Sequence, residues 1–183
     1  MATTTIYEDL SAAYDLENMQ ALMATKDLLG AMLRIHFILE AFLDIWCNKI
    51  TNCEDFFDLK RFTSFDTKLE ISKKLGLPSE LAVVFKLFNK IRNKFAHRPN
   101  YVICSNDLDN IHQAINQINT HDNHSKFTMI VFNEREIRWD TPDIPIIDSL
   151  LLNYFTLSQK VNDVFANEFS KRNISFTIQG QQA

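Results

Sequence analysis

At 183 residues, with 46% hydrophobic and 23% charged side chains, the chain has the size and balance of one globular domain and not of a disordered or fibrous protein. Three glycines cannot build a phosphate-cradling loop, and three cysteines (Cys47, Cys53, Cys104) without a CxxC pair indicate neither structural zinc nor a disulfide framework. The net charge of −4 weighs against broad, non-specific nucleic-acid affinity.

The first residues, Met1 to Thr5, lack the basic-then-apolar layout of a secretion signal. A helix is expected from about Tyr7 to Met23. The next, from about Lys26 to Ile50, carries Leu28, Met32, Ile35, Leu39, Phe42 and Trp46 at helical spacing, and four further apolar residues fill its other sides. A helix apolar nearly all round is central in its fold. Arg34, His36, Glu40 and Asp44 interrupt its apolar run, so it does not read as a membrane span. A cytoplasmic protein is the expectation.

After an aromatic-rich connection from Cys53 to Thr63, a helix is expected from about Phe65 to Leu75, ended by Gly76. Ser79 is a candidate N-cap for the following helix, which stops near Arg98 because Pro99 disfavours helical backbone before it. Asn106 or Asp107 is expected to cap another helix, with Leu108, Ile111, Ile115 and Ile118 on one face. His121 to Ser125 reads as a solvated loop. Phe127–Phe132 and Glu136–Trp139 read as a β-hairpin, lying within 126–140. A long last helix spans 143–171, and Ile174, Phe176 and Ile178 alternate as an edge strand would. The whole is expected to be a single all-α helical bundle over 1–183 with a small peripheral β-hairpin.

The segment from Leu81 to Ile103 contains no acid but holds Lys86, Lys90, Arg92, Lys94 and Arg98. Without these five cations the net charge of −4 becomes −9. At about 100° per residue, Val84, Phe88, Ile91 and Phe95 share the core arc. Lys86, Lys90 and Lys94, continued by Arg98, form an i, i+4 ridge. Asn89, Asn93 and His97 form a second row beside it. Arg92 falls inside the apolar arc, and its permanently charged guanidinium needs a carboxylate or several carbonyls there. His36, Glu40, Asp44 and Asn48 form a polar row on the central helix, so Glu40 is the expected structural partner of Arg92. His97, in the last helical turn, is suited to general acid or base work, the helix dipole favouring its proton and the lysines opposing it.

Arg92-Asn93-x-x-x-His97 resembles the RNxxxH form of the Rx4-6H motif of HEPN domains. The stretch from Phe65-Asp66-Thr67-Lys68-Leu69 through Leu75-Gly76-Leu77 to Ile91-Arg92-Asn93-Lys94-Phe95-Ala96-His97 also resembles the mannitol repressor family. Together they cover under a quarter of the chain. The resemblance implies a HEPN-like all-α fold, often dimeric. It implies a metal-independent endoribonuclease, without cofactor, of the toxin or defence kind. In it Arg92 would hold the scissile phosphate, His97 would exchange a proton with the 2′-hydroxyl or leaving oxygen, and Asn93 would orient them. Lys90, Lys94 and Arg98 would guide the RNA backbone. The expected partners are RNA, a second copy of the chain, and an antitoxin or regulatory protein. Arg98-Pro99 stands where some HEPN toxins extend the motif to HxY, so their tyrosine modification is not implied.

Two other readings remain open. On a regular helix Arg92 and His97 point about 140° apart, so the motif could be a brace and a polar helix end in a mannitol-repressor-like regulator acting by protein contact. Specific DNA binding ranks last, since no recognition-helix motif is present.

Overall fold

The computed structural model describes residues 13–14, 16–59, 62–98, 100–120, 128–132 and 135–175. The elements are α1 (Leu16–Ala24), α2 (Leu28–Thr51), α3 (Phe65–Lys74), α4 (Ser79–His97), α5 (Ser105–Asn116), β1 (Met129–Phe132), β2 (Arg135–Arg138) and α6 (Ile146–Lys171). The all-α bundle with a small hairpin is thus the observed architecture. The beginning of the expected first helix, the His121–Ser125 loop and most of the expected C-terminal strand lie outside the described residues. Ile174 and Ser175 are not in a strand.

α2 is the central helix, packed against α1, α3, α4 and α6. It begins at Asp27, whose Oδ1 accepts the Leu29 amide at 3.1 Å and whose Oδ2 accepts the Gly30 amide at 2.8 Å. A Cβ on Gly30 would sit 2.8 Å from that same Oδ2, so a larger residue there would make the capping carboxylate shift. The core is an aromatic stack across three helices. Trp46 of α2 lies 5.2 Å from Phe165 and 5.3 Å from Phe169 of α6, ring centre to ring centre. Phe42 joins them to Phe85 of α4, which is fully buried. Such offset and edge-to-face pairs add about 0.5–1.5 kcal/mol each beyond burial.

β1 and β2 pair antiparallel, with Ile130 opposite Ile137 on the face that packs inward. Two helix starts differ from expectation. α4 is preceded by Pro78 as its N-cap residue, and the Ser79 hydroxyl turns to Glu80 at 3.1 Å and not to a backbone amide. α5 starts after Cys104, because the Asp107 carboxylate is drawn away to side chains outside its helix. α4 runs unbroken to His97, and Arg98 is extended, as Pro99 demands.

Candidate functional site

Glu40, Asp44 and Asn48 of the polar row of α2 all find partners, but not the expected one. Lys68 of α3, only 9% exposed, places its Nζ 3.0 Å from Glu40 Oε1 and 2.8 Å from Asp44 Oδ1. Its ammonium also lies 5.2 Å from the centre of the Phe57 ring. Asn48 donates to the Glu54 carbonyl at 2.6 Å and pins the connection after α2. The expected Glu40–Arg92 pair therefore does not form. α3 delivers a lysine directly onto the acid row, and that ammonium takes both carboxylates.

Arg92 is half-buried on α4 and holds no ion pair among the described residues. Its Nη1 donates to Asn93 Oδ1 at 3.0 Å. Its Nε is buried without a partner among the described residues. An unneutralised guanidinium in a half-dry setting is costly unless an anion meets it. Near it lies His36 of α2, 4% exposed, its ring tilted against that of Phe65 at 4.7 Å, with Nδ1 unpartnered among the described residues. Burial and then the charge of Arg92 push the His36 imidazole below its usual 6.5, with Glu40 and Asp66 opposing.

The outer side of α4 forms a shallow groove of about 420 Å³. Its walls are Lys86, Lys90, Lys94 and Arg98 on one row and Asn89, Asn93 and His97 on the next, with Asp66 of α3 at the edge. The structure thus brings together five of the six residues expected to act on RNA: Asn93, His97, Lys90, Lys94 and Arg98. Arg92 does not line the groove. It reaches it only through its hydrogen bond to Asn93, because the helix stays regular and keeps positions 92 and 97 on different faces.

Lys94 is not a free cation. It sits 2.8 Å from Asp107 Oδ1, and Tyr101 donates to Asp107 Oδ2 at 2.5 Å. Against the upward push of burial, hydrogen bonds from Lys94, Tyr101 and Cys104 hold the Asp107 carboxyl at about 2, below its usual 3.8. Lys94 thus ties α4 to the start of α5. By contrast Lys86, Lys90 and Arg98 are exposed and hold no ion pair among the described residues.

Three groove residues, Asp66, Lys86 and Asn89, were not singled out as site residues from the sequence; Asn89 was visible only as the first step of the row it shares with Asn93 and His97. Lys86 was visible as the first step of the ridge. Asp66 carried a signal only as an acid in the first turn of a helix, which reads as a dipole partner. Among the described residues no group of three His, Cys, Asp or Glu side chains is placed to hold a metal ion. No helix among them is long and apolar enough to cross a membrane. Comparisons with protein-family models, curated proteins and solved structures find no match to this chain.

Proposed function

We propose that the chain is a HEPN-type, metal-independent endoribonuclease, working as a cytoplasmic homodimer of the toxin or defence kind and restrained by a protein partner. The observation that carries this reading is Arg92: a half-buried cation without a carboxylate, hydrogen-bonded to Asn93 of a basic groove that also holds His97. A phosphate diester beside Arg92, at the Asn93 side of the groove, would supply the missing anion. His97 would take the proton of a ribose 2′-hydroxyl as its oxygen attacks phosphorus, and a proton would return to the departing 5′-oxygen. The products would be a 2′,3′-cyclic phosphate and a 5′-hydroxyl, with no water or metal consumed in that step. Because one straight helix keeps Arg92 and His97 on separate faces, a second copy supplying the opposite member of each pair would complete two sites.

The test is cleavage of RNA in the presence of EDTA by the wild type, Arg92→Ala and His97→Ala. Cleavage by the wild type, reduced at least a hundredfold in both variants while each keeps its fold by circular dichroism, supports the reading. A folded wild type that leaves RNA intact overturns it.

One observation favours the second reading, a mannitol-repressor-like regulator. Phe37 is 65% exposed and lies beside Leu33 and Arg34 in a groove of about 550 Å³ on α2. An exposed aromatic of this kind is typical of a protein contact. A folded wild type that leaves RNA intact in the cleavage test, and that binds a protein partner lost in Phe37→Ala, selects the regulator.

A further inference from the structure

Asp66 is out of place in an anion-binding groove. It stands among Lys86, Lys90, Lys94, His97 and Arg98, yet it forms an ion pair with none of them within 4.0 Å among the described residues. Its Oδ1 is instead fixed by the amide of Asn89, which donates at 2.9 Å and is 4% exposed. Burying the amide of Asn89 to anchor an exposed carboxylate gives the acid one bonded oxygen and one that remains able to accept. Near a phosphate chain such a charge is repulsive, unless the same chain brings hydrogen-bond donors to it.

Among the RNA bases, the donors differ in number and setting. Guanine presents two adjacent donors, N1–H and N2–H, that match the two oxygens or two lone pairs of a carboxylate. Cytosine and adenine each offer one amino group beside an acceptor. Uracil offers one N–H between two carbonyls, which repel a carboxylate. Carboxylates accept from base amino groups in nucleic-acid recognition generally, and unpaired RNA bases expose these edges.

We infer that Asp66, held by Asn89 at the edge of the α4 groove, is a specificity-determining residue that accepts the N1–H and N2–H of an unpaired guanine. The inference rests on the placing of RNA in this groove, and it adds which base is chosen there. It makes Asp66 a discriminator whose charge helps one base and hinders the rest.

The experiment uses the wild-type chain and twelve-nucleotide, fully 2′-O-methylated strands, which lack the hydroxyl needed for cleavage. One strand is all uridine, and three others carry a single central guanosine, cytidine or adenosine. Fluorescence anisotropy gives the affinities. The guanosine strand should bind at least five-fold tighter than the uridine strand, with cytidine and adenosine between. In Asp66→Asn the two effects should cross: guanosine binding weakens while uridine binding strengthens, because a repulsive charge is gone. Loss of the Asn89 tie would lower stability but would not invert a base preference, and Asn89→Ala, monitored for folding, separates the two. Equal affinities for all four strands, or a guanosine preference unchanged in Asp66→Asn, overturns the inference. Either result leaves the EDTA cleavage test standing on its own. Conversely, an uncleaved RNA with an intact guanosine preference removes the nuclease and keeps the discriminator.

Discussion

Two titratable side chains carry pH signatures of the same sign in different pH ranges: each is held below its ordinary value, so each costs stability as pH falls. His36 is held neutral, with its folded value pushed below 6.5 by burial and by Arg92. The unfolded chain therefore binds more protons than the folded one as pH falls through 6.5, and stability is lost on that side. His36→Gln should flatten the dependence of the urea midpoint between pH 7.5 and 5.5; an unchanged slope would remove His36 as its source. Asp107 acts lower on the scale. Its folded value of about 2 against 3.8 means that its contribution is complete above 3.8 and disappears as pH falls through 2. Allowing for solvent screening, Asp107→Asn should cost about 1 kcal/mol at pH 7 and almost nothing at pH 2, read from denaturant curves at both. Spacing placed His36 in a polar row and Asp107 at a helix start, but not the neighbours that shift them. Lys94 and Asp107 lie in different helices, and helical periodicity does not say which neighbouring helix supplies a partner.

Along the elements, much could be read directly. The all-round apolar pattern from Leu28 to Trp46 does mark the central helix, and Gly76, with φ +90°, ends the turn after α3 as only glycine does easily. What misled was competition among polar side chains for partners. Asp27 caps α2, whereas Ser79 and Asp107, equally suitable by type, spend their oxygens on Glu80 and on the Lys94–Tyr101 pair. Glu40 likewise met Lys68 before Arg92, because helical periodicity assigns a face but not which neighbouring helix covers it. Asp27→Ala should therefore lower stability by about 1 kcal/mol. Lys68→Ala should cost more, about 2–4 kcal/mol, since it leaves Glu40 and Asp44 facing each other without their shared cation. Equal small losses in both, measured by urea unfolding, would mean that the Lys68 ammonium is as dispensable as a surface charge.

On the scale of the molecule, charge is segregated: the groove helix is basic and the remainder acidic. A net-acidic body disfavours a polyanion away from α4, so binding along α4 falls to the cations that no carboxylate already holds. Lining the groove, which Arg92 does not, these are Lys86, Lys90 and Arg98, spaced at four or eight residues, which at the helical rise is about 6 Å per step of four. Three phosphate contacts on a single strand predict that the logarithm of affinity falls with the logarithm of salt concentration with a slope of about −2. Lys90→Ala should bring that slope nearer zero by about 0.7, the share of one phosphate. Lys94→Ala should leave the slope unchanged, because its ammonium neutralises Asp107 and not the ligand. Titrations of a 2′-O-methylated strand from 50 to 300 mM salt measure all three values. If Lys94→Ala flattens the slope as much as Lys90→Ala, the tie to Asp107 opens on binding, and four cations, not three, meet the strand.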